Sequence, residues 1–201
     1  MIAAVLLAAG GSSRMGRAKQ ALRHRGRTLL RSAAEAVSEA GLEAVVVVLG
    51  ADAEGLRGEL AGLNVTVAVN ERWADGISGS IRRGVEAALA SAPAAEGLLL
   101  ATCDQPRLTA GIVRRVRDAH DGRPECCVAC EYAGTVGTPA LLGSAWFDRL
   151  ARLAGDAGAK GLLLDAGDDL VRLPWPEGAI DVDRPEDYDA LLRGDMSDAD
   201  L

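Results

Sequence analysis

Three groups of residues in this 201-residue chain have types and spacings suited to chemistry. The first is LLAAGGSSRMGRAKQAL, residues 6–22, where an apolar run breaks into glycine and serine and then into positive charge. Backbone N–H groups of such a loop can wrap phosphate oxygens, and Arg14 and Lys19 supply cationic partners. Lys19 is one of two lysines in a chain that otherwise uses arginine, and a compact ammonium acts as a point charge rather than a planar fork. The second group centres on Asp104 in LLLATCDQPRLT, residues 98–109. A carboxylate directly after a buried apolar strand is costly unless it emerges at a rim or binds a cation, so Asp104 is the foremost metal-ligand candidate. The third is AIDVDRPEDYDALL, residues 179–192. Alternate positions of an extended segment point the same way, so Asp181 and Asp183 can present two carboxylates to one side. Pro185, Glu186 and Asp187 read instead as a helix start, with acids favoured by the dipole.

The opening loop departs from two familiar phosphate loops. A dinucleotide loop needs G-x-G-x-x-G and an acid at the end of the second strand, whereas here the glycines are Gly10, Gly11 and Gly16 and no acid ends the second strand near Leu49. A Walker loop needs serine or threonine after its lysine, and Gln20 follows Lys19. Net charge is −7, which argues against general nucleic-acid binding. The charge is nevertheless uneven, because no acid precedes Glu35 while seven basic residues fall between Arg14 and Arg31. A local anion site within an acidic protein fits this pattern.

Positioning those groups requires a sheet. Apolar runs at 2–9, 44–49, 65–69, 97–101 and 126–131 are rich in valine and leucine without alternation, as strands covered on both faces require. Helical periodicity at 28–40, 79–92 and 109–120 separates them, which implies a mostly parallel sheet with right-handed crossovers. Residues 138–153 and 187–192 read as further helices, 170–173 as a short strand, and Thr109 as a helix cap. The fold class expected is α/β, a single Rossmann-like domain over residues 1–193, with an acidic tail at 194–201 expected to be frayed. Ligands of an open parallel sheet bind beyond the carboxyl ends of the strands, which gathers residues after Ala9, Val69, Ala101 and around Asp181 on one rim. Aromatic residues are 3% of the chain, so core volume must come from Ala, Leu and Val.

L-A-A-G-G-S-S-R-M-G-R-A-K resembles the signature L-x-x-G-x-x-x-R-M-G-x-x-K of nucleotidyltransferases with a GT-A-type fold, the MobA-like NTP transferase family. NERWADGISGS at 70–80 is similar to the N-x-x-W-x-x-G-x-x-x-S segment of its molybdenum cofactor cytidylyltransferase-like branch. Asp104-Gln105-Pro106 matches the family's D-x-P, and residues 181–187 nearly reproduce D-I-D-T-P-E-D, with Arg184 in place of threonine. LAGDAGAK at 153–160 resembles L-x-G-D-x-G-A-R, with Lys160 where arginine is usual. The resemblance implies that Ala8, Ala9, Gly10, Gly11, Ser12 and Ser13 wrap a nucleoside triphosphate whose phosphates Arg14 and Lys19 hold. Gly79 and Ser80 would lie near the nucleobase and a pterin substrate, and Mg2+ would sit on Asp104 with one or both of Asp181 and Asp183. The 153–160 segment would border the acceptor, with Asp156 and Lys160 a solvated pair. Ala8-Ala9-Gly10 favours CTP by the same likeness, so the expected reaction is cytidylyl transfer to the terminal phosphate of molybdopterin–molybdenum cofactor, with pyrophosphate released.

Rival readings keep the same rim with GTP, or with a sugar or alditol phosphate as acceptor, or make the chain a non-catalytic molybdopterin-delivering chaperone for a recipient molybdoenzyme. Retention of the three aspartates argues against the last. Cys127-x-x-Cys130 has the spacing of a redox pair or half a zinc site, but no second pair or histidine couple accompanies it, and buried hydrophobes are the better account. The first apolar run is too short for a membrane span and lacks a basic start and cleavage site, so a cytoplasmic location with neither membrane nor nucleic-acid partner is expected.

Overall fold

The computed structural model describes residues 1–12 and 15–194. Among these residues nine strands and seven α-helices follow one another as β1 (Ile2–Ala8), β2 (Arg23–His24), β3 (Arg27–Thr28), α1 (Leu29–Ser38), β4 (Ala44–Leu49), α2 (Ala53–Arg57), β5 (Thr66–Val69), α3 (Ile77–Ser91), β6 (Gly97–Thr102), α4 (Ala110–Asp118), β7 (Cys127–Tyr132), β8 (Thr135–Gly143), α5 (Phe147–Ala151), α6 (Lys160–Asp165), β9 (Leu170–Pro174) and α7 (Pro185–Arg193). Seven strands form one sheet in the order β5-β4-β1-β6-β8-β7-β9, and β2 and β3 form a separate small ribbon. Every neighbouring pair of the large sheet is parallel except those made by β8, which runs against both β6 and β7.

The absence of alternation in β1 has a direct packing cause. Ala4, Leu6 and Ala8 face a cluster with Leu30, Ala33 and Val37 of α1 and Ile112, Val113 and Val116 of α4. Ala3, Val5 and Leu7 face the other cluster, with Ile81 and Val85 of α3, Leu150 of α5 and Leu163 of α6. Both faces are dry, so each position along the strand must be apolar. Helix starts are fixed by short side chains: Thr28 accepts from the Arg31 N–H at 3.1 Å, and Thr109 from the Ile112 N–H at 3.4 Å. Among the described residues no helix is long and apolar enough to cross a membrane.

Residues 138–153, expected as a helix, are not one. They hold the second half of β8, a turn of 3-10 helix at Ser144–Trp146, and the short α5. Ala140, Leu141 and Leu142 are fully buried, and a short apolar run reads alike in a buried strand and a buried helix. Pro139 lacks the N–H that a helix interior demands. In the sheet it is tolerated because Gly137 pairs with Cys130 and Ala140 with Ala129, so Thr138 and Pro139 bulge out of the ladder.

The cysteines also resolve by strand parity. Cys126 and Cys130 lie in the α1/α4 cluster and Cys127 in the other, so Cys127 and Cys130 point to opposite faces of the sheet. All four cysteines are free and buried.

Candidate active site

The opening loop leaves β1 at the carboxyl rim and is tied from within by Gln20, whose side chain is 2% exposed. Its Nε2 donates to the carbonyls of Ala8 at 3.0 Å and Gly10 at 2.7 Å, and its Oε1 accepts from the Ser12 hydroxyl at 3.3 Å. The Ser12 hydroxyl in turn accepts from the Lys19 N–H at 3.0 Å. Ser12, with φ of 50°, thus uses its side chain to shape the loop. Gly11 lies against Trp73, and a Cβ there would run into the indole ring. Ser13 and Arg14 lie outside the described residues.

Lys19 is carried to the middle of the rim. Its Nζ donates to Asp104 Oδ2 and to Asp183 Oδ1, each at 2.8 Å. Burial opposes the charge on Lys19, yet the Asp104 and Asp183 carboxylates outweigh it and hold the ammonium well above the usual lysine range. Asp181 is the most open of the three aspartates, and partial burial together with the charges of Asp183 and Asp104 raises its carboxyl above the usual range. Three carboxylates therefore gather about one ammonium.

Two halves of the chain meet here because a third apolar cluster joins them. Met15, Leu22 and Leu29 of the opening region pack with Val182 and with Leu191 of α7. The Val182 N–H donates to the Asp104 carbonyl at 3.0 Å, and the Tyr188 hydroxyl to the Arg23 carbonyl at 2.7 Å. With Val182 buried, the residues on either side of it turn toward Asp104. Asp187 Oδ2 accepts from the N–H groups of Asp183 at 3.0 Å and Arg184 at 2.7 Å, opening α7. Asp187 thus supplies one half of a capping box, and Arg184, whose side chain only donates, does not supply the half that a threonine would.

Two cavities share this centre. One of about 330 Å3 is lined by Ala8, Ala9, Gly10 and Gly11, by Trp73, Gly76, Ile77 and Ser80, by Lys19, Thr102 and Asp104, and by Asp156. The other, about 280 Å3, is lined by Thr102, Asp104, Gln105, Tyr132, Thr138, Gly178 and Asp181. They meet at Thr102 and Asp104. Gln105, 5% exposed, forms the floor of the second: its Nε2 donates to the Gly178 carbonyl at 2.9 Å and Tyr132 hydroxyl at 3.2 Å, and its Oε1 accepts from the Thr138 hydroxyl at 3.2 Å. Ser80 accepts from Asn70 Nδ2 at 3.0 Å. Gly79 lies one residue away, on a hollow lined by Ser78 and Arg82.

Sequence reasoning named Lys19, Asp104, Asp181 and Asp183, and the structure brings them together. It passed over Gln20 and Gln105, whose partners are main-chain carbonyls or residues distant in sequence. Gln20 entered only as the residue that excludes a Walker loop. Asp156 and Lys160 share no ion pair among the described residues, and Asp156 lines the cavity of the opening loop.

A divalent cation suits the donor set at Asp104 and Asp183, because two hard carboxylate oxygens already converge on one cation. Among the described residues no three His, Cys, Asp or Glu side chains form a metal cage on their own. That matches the habit of Mg2+, which takes one or two carboxylates and completes its shell with substrate phosphates and water.

Comparison with known proteins follows the same lines. The model of the MobA-like NTP transferase domain matches residues 4–170. Nicotine blue oxidoreductase of Paenarthrobacter nicotinovorans is 33% identical over 189 residues, 90% of this chain and 86% of that protein. The crystal structure of Rv0371c from Mycobacterium tuberculosis H37Rv superposes with a TM-score of 0.80 at 34% identity, covering 96% of this chain and 97% of that one. A second structure of that protein is a complex with manganese, with a TM-score of 0.77 at 32% identity, covering 96% and 98%. A nucleotidyl transferase from Methanothermobacter gives a TM-score of 0.79 at 27% identity, covering 96% and 99%.

Proposed function

Because this chain belongs to the MobA-like NTP transferase family, we propose that it is a Mg2+-dependent cytidylyltransferase, moving CMP from CTP to the terminal phosphate of a molybdopterin-type cofactor. The observation that carries the reading is the meeting of two cavities at Thr102 and Asp104. One is bounded by the phosphate-type loop and the other by the β7–β8 hairpin, so two substrates can face each other across one carboxylate. Ala8-Ala9-Gly10 supports CTP through the resemblance to the cytidylyltransferase branch.

Transfer at phosphorus asks little covalent chemistry of the protein, and alignment with charge neutralisation provides most of the catalysis. Backbone N–H groups of residues 10–13, with Arg14 and Lys19, hold the pyrophosphate as it leaves. Asp104 and Asp183, with Asp181 beside them, would hold the divalent ion, which would supply Lewis-acid charge to phosphate oxygens. Gln20 keeps the loop in shape, and Gln105 fixes the floor of the acceptor cavity. The test is incubation of the protein with CTP, Mg2+ and molybdopterin cofactor followed by mass analysis. The cytosine dinucleotide form of the cofactor is the expected product. A guanine dinucleotide formed only from GTP, or a nucleoside diphosphate conjugate formed only on a sugar or alditol phosphate, transfers the reading to those rivals.

A second reading rests on the relative named as an oxidoreductase. It would make this chain an oxidoreductase. Turnover of nicotine blue by the purified protein, with no pyrophosphate released from any nucleoside triphosphate, would establish it over the transferase reading.

A further inference from the structure

Three charged side chains line the larger cavity: Lys19 and Asp104 at the metal end, and Asp156, which joins them from the loop between α5 and α6. That loop is docked on the start of α3. The Ser78 N–H donates to the Gly155 carbonyl at 3.3 Å, and the Arg82 guanidinium to the Leu153 carbonyl. Gly76, with φ of 110°, makes the docking possible, since a Cβ there would collide with the Gly155 carbonyl and lie 2.7 Å from Asp156 Oδ1. The loop is thus held at the α3 end of the cavity, which Asp156 lines together with Ile77, Ala74 and Ser80. No ion pair engages it among the described residues.

An ionised carboxylate only accepts hydrogen bonds. With the triphosphate on the opening loop and Lys19, the group offered to Asp156 is a neutral donor at the opposite end of the nucleotide. Building on the cytidylyltransferase reading, we propose that Asp156 determines base specificity by accepting a hydrogen bond from an exocyclic amino group. Cytosine carries that donor at its 4-position, and uracil carries a carbonyl oxygen there, which the carboxylate repels. The two bases differ only along that edge, at the 4-substituent and at N3, which accepts in cytosine and carries a hydrogen in uracil.

The experiment is titration calorimetry of CTP and UTP into the full-length protein with Mg2+ and no acceptor, for the native chain, Asp156→Asn and Asp156→Ala. The native protein is expected to prefer CTP by about tenfold or more. Asp156→Asn should bring the two affinities within about threefold, because its amide both accepts and donates, and Asp156→Ala should weaken CTP while sparing UTP. Circular dichroism checks that the variants fold. An unchanged CTP-to-UTP ratio in both variants, or an equal loss for both nucleotides as a ribose contact would give, overturns the inference while leaving the transferase reading intact. Absence of any nucleotide binding by the native protein overturns both.

Discussion

Replacing Gln20 by alanine tests how the opening loop is held. The amide makes bonds of 3.0 and 2.7 Å to the carbonyls of Ala8 and Gly10, and accepts a longer one of 3.3 Å from Ser12. Net contributions near 1 kcal/mol for each of the two good bonds, with less for the third, give a loss of about 2 kcal/mol. Urea unfolding should show this as a lower midpoint with an unchanged slope, since the surface exposed on unfolding hardly differs. Nucleotide affinity should fall in parallel, because the loop backbone then samples conformations that do not bind. Gln20→Glu should be worse near neutral pH, where a carboxylate would face two carbonyl oxygens. Its pKa in the folded state would be raised, so this variant should regain stability as pH falls. A change of less than about 0.5 kcal/mol in Gln20→Ala, within the range of ordinary surface substitutions, would refute the strut role.

Gly11→Ala should displace the Trp73 ring at a cost of about 1–3 kcal/mol, read as a shift in tryptophan fluorescence, with Gly11→Ala/Trp73→Ala recovering most of the loss. Asp187→Ala removes the acceptor for two N–H groups at the start of α7, so stability should drop by about 1–2 kcal/mol, and Asp187→Asn should retain much of it. Burial pushes the thiols of Cys103, Cys127 and Cys130 up to about 12 and that of Cys126 upward as well. These groups bind protons more tightly in the folded state, so their stability is fully present below about pH 8.5 and falls as pH rises toward 12, by at most about 1.4 kcal/mol per pH unit for each thiol. Denaturation midpoints measured between pH 8 and 11 check the slope, and at pH 8 the native protein should resist a thiol reagent until denaturant is added.

The sheet was legible because its strands are uniformly apolar and separated by helical periodicity; residues 44–49 form a strand with the bounds that the run of valines indicates. β8 was not, because a buried run of three apolar residues carries no period and one of its two partners, β6, lies far off in the chain. At the site, residue type alone pointed to Lys19 and the three aspartates, since charge at a strand end needs a reason. Their arrangement was not readable. The phosphate-type lysine rests on Asp104 and Asp183, and that geometry depends on Val182, Leu191 and Met15 packing together. Gln20 and Gln105 left no trace because a glutamine that braces a backbone looks, in sequence, like one on the surface.

The most direct test of the central claim is Mg2+-dependent release of pyrophosphate from CTP with molybdopterin cofactor, compared between the native chain and Asp104→Ala. Asp104 stands where the two cavities meet and shares the Lys19 ammonium with Asp183. Release by the native protein and its loss in a variant with a native circular dichroism spectrum is the result expected. Equal release by a folded Asp104→Ala protein would contradict the site, and with it the account of how this rim works.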